Sequence, residues 1–140
     1  MGKILCATRG GEDSQRTQRA AIALAKESGD ALVFLYVADA SFLDRIAAAV
    51  VVDVEAELEQ MGRFQLALAQ EQAAEEGVEA EAVIRHGHLR TELMAAAGEL
   101  GITSIVLGRP QGRMAVFEET DLEEFAAELE ARTRAQVRII

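Results

Sequence analysis

Short unbroken apolar runs alternate with stretches of helical period along the whole chain. Ile4-Leu5-Cys6-Ala7-Thr8 is the first run, bounded by glycines, and it suits a strand buried on both faces of a parallel sheet. Thr17, Ala20, Ala21, Leu24 and Ala25 then recur at helical spacing, a narrow alanine-lined face that Gly29 is placed to end. Ala31 to Ala38 reads as a second buried strand. From Asp53, a fitting N-cap, Val54, Leu58, Met61, Phe64 and Leu68 mark one apolar face of a long helix running to about Glu76 and closed by Gly77. Val78 to Arg85 alternates apolar and polar residues, as a half-exposed strand near a sheet edge does. Leu89, Leu93, Ala96, Ala97 and Leu100 form the inward face of a third helix ended by Gly101, and Ile102 to Leu107 is a fourth strand. Thr120-Asp121-Leu122-Glu123 reads as a capping box before a helix with Leu122, Phe125, Ala126 and Leu129 inward, and Gln136 to Ile140 as a fifth strand. Residues 39–53 hold a short helical pattern around Phe42-Leu43-Ile46, then Val50-Val51-Val52, a run that fits a loop or lid better than a helix.

This βαβαβαβαβ order, joined by right-handed crossovers, predicts one α/β domain over residues 1–140: an open, doubly wound, five-stranded parallel sheet with helices on both faces. Ligands in such sheets bind outside the carboxyl ends of the strands, where strand order reverses. Arg9, Gly10 and Gly11, after the first strand, should therefore form part of the floor of any site. Gly108-Arg109-Pro110-Gln111-Gly112 is a second glycine-bearing loop at a strand end.

Composition narrows the partners. A formal charge of −10, from 24 acidic and 14 basic residues, argues against general binding to nucleic acid or to an anionic membrane. No apolar run is long enough to span a bilayer and the N-terminus has no basic region before an apolar stretch, so a cytoplasmic protein is expected. Cys6, the single cysteine, cannot form an internal disulfide and reads as a small buried hydrophobe. Against the acidic background, Arg9, Arg85, Arg90, Arg109 and Arg113 all fall at or beside carboxyl-end loops, with His86 and His88 among them. Two readings stay open. The arginines mark a pocket for a phosphate or carboxylate, or Arg9 and Arg109 pair with Glu12, Asp13 or the acidic start of the last helix.

The strand-end residues carry a resemblance that covers the whole chain. Gly10, Glu12 and Ser14 match a strand–D-G-S-E-x-S–helix opening; Gly87, Ile105, Val106 and Gly108 match the later glycine turn and A-D-L-I-V-M-G strand, with Thr103 in place of the aspartate. In this the chain resembles the universal stress protein family. The resemblance implies an adenine nucleotide alpha-hydrolase-like fold with strand order 3-2-1-4-5, no catalytic activity, and a homodimer paired through the last strand at Val137, Arg138, Ile139 and Ile140. An apolar edge strand at a chain end is a ready pairing template. With the gathering of arginines at the strand ends, the candidate ligand set is Ala7, Thr8, Arg9, Gly10, Val37, Gly108, Arg109, Gly112 and Arg113.

Many members of that family bind ATP through G-x-x-G, nine residues, then G-S or G-T, and this chain departs from that pattern. Arg9 stands for the aspartate, Gly112 falls one residue late, and Asp121-Leu122 occupies the place of the Gly-Ser pair. A helix N-terminus holds phosphate through free N–H groups and its dipole. Here Glu118, Glu119, Asp121 and Glu124 crowd that turn, each repelling a triphosphate by roughly 1 kcal/mol even when well solvated. No cofactor is expected on this basis. The role implied is regulatory, through an unknown protein partner or a small anion over the strand ends, with an ATP- or AMP-binding member of altered phosphate contacts as the alternative. Arg9-Gly10-Gly11-Glu12-Asp13-Ser14 is also similar to the S-G-G-x-D-S loop of ATP pyrophosphatases, but the chain has no room for their substrate domain.

Other features read as ordinary. His86 and His88 lack a third metal donor, and a turn histidine hydrogen-bonded to backbone is expected. Ser14, Thr17 and Ser104 have no histidine-acid pair in the sequence. Met61 and Met94 read as core filler, and the acidic runs Glu55-Glu57-Glu59 and Glu75-Glu76 as solvated helix surface.

Overall fold

A computed structural model describes residues 2–8, 12–38, 54–109 and 119–140. Nine elements follow in the order β1 (Lys3–Ala7), α1 (Glu12–Ser28), β2 (Ala31–Ala38), α2 (Val54–Glu75), β3 (Ala80–His86), α3 (Leu89–Glu99), β4 (Ser104–Leu107), α4 (Glu119–Arg132) and β5 (Gln136–Ile139). The strands form one parallel sheet in the order β3-β2-β1-β4-β5. The expected doubly wound fold is the one observed.

Alternation along the strands splits the core into two layers. Ile4, Cys6, Leu32, Phe34, Tyr36 and Val106 face one side with Ala21, Ile22 and Ala25 of α1 and Leu66, Ala69 and Ala73 of α2. Leu5, Val33, Leu35, Ile105 and Leu107 face the other with Leu93, Ala96 and Ala97 of α3 and Leu122, Phe125 and Leu129 of α4. The central strands are apolar at nearly every position because both faces are covered. β3 lies on an edge as expected, but its burial does not alternate: Ala80 and Ile84 pack on the first layer, Val83 on the second, and Ala82 is exposed, because this strand too has both faces partly covered.

The lower ends of β1 and β4 are pinned by side chains. Asp30 Oδ1 accepts the Gly2 N–H at 3.1 Å, Thr103 Oγ1 accepts the Lys3 N–H at 2.8 Å, and the same hydroxyl donates to the Lys3 carbonyl at 3.1 Å. Thr103 thus has a structural task of its own where the family pattern has aspartate. Gly29, Gly77 and Gly101, with φ of +77°, +78° and +66°, close their helices as read from the sequence.

Two further expectations are corrected. The apolar face of α2 that packs on the sheet is Leu58, Gly62, Leu66, Ala69 and Ala73. Met61, Phe64 and Leu68 are 57%, 63% and 44% exposed. Small residues win the inner position because Gly62 lies over the Tyr36 ring, where a Cβ would come within 2.7 Å of Cε1 and 2.9 Å of Cγ. Bulkier side chains could not sit there, so Met61 is not core filler, while Met94 does pack on the second layer. α4 spans Glu119–Arg132, and the capping contacts expected of Thr120 and Glu123 lie outside what is described, since the side chain of Thr120 is not among the described ones. β4 begins at Ser104 and β3 at Ala80, each two residues later than the apolar runs suggest; Ile102 is nonetheless buried and Val78 packs against the first layer.

Cys6 is fully buried, and burial pushes its thiol from an ordinary 9.0 up to about 12. The unfolded thiol therefore ionises first as pH rises. This group's contribution to stability is whole below about pH 9 and is lost as pH climbs toward 12. Native protein is expected to resist thiol-reactive dyes at mildly alkaline pH and to label at once in urea; labelling as fast as a free thiol would contradict the burial.

Candidate functional site

The strand order reverses between β1 and β4, whose neighbours run outward in opposite directions. Cys6 pairs with Val106, so the chain leaves the two strands side by side, at Ala7-Thr8 and at Leu107-Gly108. The two strand ends share one rim. There the Thr8 N–H donates to the Leu35 carbonyl at 2.8 Å, tying the end of β1 to β2.

The rim is braced from α1. Thr8 is only 1% exposed, and Gln18, 4% exposed, donates from Nε2 to its hydroxyl. Burying an amide and a hydroxyl is favourable only when they satisfy each other, and here they do. Thr17, one residue earlier on α1, lies against Gly108: a Cβ built on Gly108 would collide with Thr17 Oγ1. Only glycine lets α1 and the end of β4 approach this closely. Thr17 and Gln18 thus position the rim. The sequence offers one signal for this, Thr17 on an otherwise alanine-lined helix face.

The described part of the expected ligand set falls as follows. Ala7 and Val37 pack toward the α3–α4 layer, Val37 at the upper end of β2, where it pairs with Arg85. Thr8 is at the rim but its hydroxyl is engaged by Gln18, which makes it a positioning residue. Gly108 is exposed at the rim. Arg109 is exposed beside it, and its N–H donates to the Ile140 carbonyl at 3.1 Å, linking this loop to the end of β5. Arg9, Gly10, Gly112 and Arg113 lie outside the described residues, as do Gly11, Pro110 and residues 39–53.

Two of the five arginines do not belong to an anion pocket. Arg85 donates from Nε to Glu92 at 2.8 Å and from Nη1 to Glu99 at 2.7 Å, and these carboxylates, Glu99 foremost, raise its pKa further. Arg90 stacks its guanidinium 5.5 Å from the centre of the Phe125 ring. An Arg85→Met variant is expected to lose about 1–2 kcal/mol in urea titrations, since the pair with Glu92 is only partly solvated, and to leave anion binding unchanged. The histidines also differ from expectation. His86 Nε2 lies 3.8 Å from Glu59, and His88 sits at the N-cap of α3 without a side-chain capping bond. Among the described residues no three His, Cys, Asp or Glu side chains gather as a metal site. At the start of α4, Asp121, Glu123 and Glu124 are exposed, so the helix end carries carboxylates.

A family model described as "Universal stress protein family" matches residues 1–117. The chain belongs to the universal stress protein family. Solved structures of universal stress proteins superpose over nearly its full length. The UspA protein of Lactobacillus plantarum aligns at TM-score 0.76 with 19% identity, over 99% of this chain and 97% of that one. A universal stress protein in complex with cAMP aligns at 0.71 with 21% identity, over 99% and 96%. One from Archaeoglobus fulgidus in complex with dAMP aligns at 0.66 with 16% identity, over 100% and 97%. At these identities the structures establish the fold. No curated protein sequence matches the chain. Among the described residues of this universal stress protein, no helix is long and apolar enough to cross a membrane.

Proposed function

We propose that this universal stress protein is a non-catalytic cytoplasmic regulator that takes an adenine mononucleotide, or an anion of similar charge, over the β1–β4 rim. The observation that carries the reading is the bare backbone at Gly108, braced by Thr17 and set beside the end of β1. That glycine lies at the reversal of strand order, where ligands of such sheets bind. Two relatives of the same fold were solved with the monophosphates cAMP and dAMP. A triphosphate fits less well, because its outer phosphates would meet the carboxylates at the start of α4. Gly108 lets α1 sit against the rim, and Arg109, exposed at the same loop, supplies a cation.

In this reading two copies pair through β5, the apolar edge strand. Val137 and Ile139 already pack on the second core layer and Ile140 on the first, which leaves Arg138 and the outer backbone edge for the partner.

Calorimetric titration tests the proposal. AMP, dAMP or cAMP is expected to bind in the micromolar range and ATP with Mg²⁺ at least about tenfold more weakly, a difference of about 1.4 kcal/mol. No mononucleotide binding removes the ligand, tighter ATP binding removes the carboxylate argument, and release of pyrophosphate makes the chain an enzyme. A monomer in sedimentation equilibrium at tens of micromolar removes the dimer.

A further inference from the structure

Helix α2 turns two apolar stripes in different directions, and only one reaches the sheet. Met61, Phe64 and Leu68, spaced by three and four residues, lie on one outer face over a length of about 10 Å. Three large side chains about half exposed in one line are more than the scattered surface leucine of ordinary proteins. Beside Leu68 a groove of about 270 Å³ opens between α1 and α2, lined also by Gln15, Gln18, Gln65, Gln72, Glu71 and Glu75.

Charge decides what could lie on this face. Glu57 stands one turn before Met61, and Glu71 and Glu75 stand one and two turns beyond Leu68, all exposed. α2 carries five glutamates and a single arginine, Arg63, which is held 3.3 Å from Glu59. A second copy of this face would bring acidic ends against acidic ends, in a chain already at −10. A segment of opposite charge would satisfy both the apolar centre and its carboxylate ends.

We infer that the outer face of α2 docks a basic amphipathic helix of another protein. Its apolar anchors, at i, i+3 or i+4 and i+7, cover Met61, Phe64 and Leu68, and its lysines or arginines meet Glu57, Glu71 and Glu75. This is helix-in-groove recognition, with apolar burial giving affinity and charge fixing orientation. The surface lies on α2, apart from Gly108 and Arg109, and does not depend on a nucleotide, although Gln18 both lines the neighbouring groove and braces the rim.

The test uses the full chain and a labelled synthetic helix of about four turns, leucine at the anchor positions and lysine elsewhere. The controls are a scrambled peptide of the same composition and one with glutamate for lysine. Fluorescence anisotropy is expected to give micromolar binding of the basic helix, at least about tenfold weaker for the scrambled peptide, and none for the acidic one. Phe64→Ser should weaken binding at least about tenfold with an unchanged urea midpoint, and Met61→Gln should do the same more mildly. Glu71→Gln with Glu75→Gln should weaken binding and flatten its salt dependence. The inference is overturned if the basic helix fails to bind, if the scrambled peptide binds as well, or if both Phe64→Ser and Met61→Gln leave affinity unchanged. It is also overturned if Phe64→Ser dissociates a dimer of the chain itself, or if binding emerges only after residues 39–53 are replaced by a glycine-serine segment, since either result names a different occupant.

Discussion

Gly62→Ala is expected to destabilise the domain by about 1–3 kcal/mol, although the same change at an exposed helix position would stabilise it by roughly 1 kcal/mol. Alanine is the better helix former, and α2 has no other reason to keep glycine in its interior. The opposing effect is steric. The missing Cβ would enter the Tyr36 ring, with Cε1 at 2.7 Å and Cγ at 2.9 Å, both shorter than any ordinary carbon contact. Tyr36 is itself buried in the middle of β2, hydrogen-bonded into the sheet between β1 and β3, so its ring cannot swing out of the way. Either α2 lifts from the sheet or the ring is forced off its rotamer, and a close-packed interior resists both.

Urea titration decides the sign. A lower midpoint at constant slope supports the contact, and a higher one refutes it. A double-mutant cycle with Tyr36→Ala locates the cause: once the ring is gone, Gly62→Ala should cost little or nothing. Equal penalties in both backgrounds would place the strain elsewhere.

The same helix marks where the sequence was legible and where it was not. Strands buried on both faces must be apolar at every position, so β1, β2 and β4 announce themselves as unbroken runs. Helix ends announce themselves through glycines at positive φ. Which side of α2 faces inward depends on distance to the sheet, and beside Leu58 and Leu66 the inner stripe holds Gly62, Ala69 and Ala73, which hydropathy ranks below Met61, Phe64 and Leu68. Closeness of approach, a tertiary quantity, overrode the larger hydrophobic signal.

The site divides along a similar line. Gly108 and the ends of β1 and β4 could be placed from glycine position and strand order alone. The gathering of arginines could not be interpreted that way. Arg85 lies beside the rim in sequence, but its partners Glu92 and Glu99 stand seven and fourteen residues on, along α3, and only the packing of that helix brings them to it. Gln18 was silent for the opposite reason. An amide on a helix reads as surface until its buried acceptor, the Thr8 hydroxyl, is known.

Gly108→Ala is expected to lower stability by about 1–3 kcal/mol and nucleotide affinity at least about tenfold, through one atom. The φ of Gly108 lies outside the left-handed region, so the backbone itself tolerates alanine and no conformational penalty confuses the result. The collision is with Thr17 Oγ1, while Thr17 Cβ and Cγ2 would stand 3.6 and 3.9 Å away, in ordinary contact. Thr17 is buried on the first turns of α1, so relief requires the start of that helix to move off the end of β4, and the rim moves with it. Thr17→Ala removes the offending oxygen, together with Cγ2 in ordinary contact at 3.9 Å, and keeps Cβ at 3.6 Å. In that background Gly108→Ala should recover most of its stability, whereas Thr17→Val, which keeps a methyl where the oxygen was, should rescue nothing. Binding then separates two roles for the glycine. If the double variant regains affinity along with stability, Gly108 serves the ligand by letting α1 sit against β4. If stability returns and affinity does not, the added methyl itself disturbs the rim that the ligand contacts.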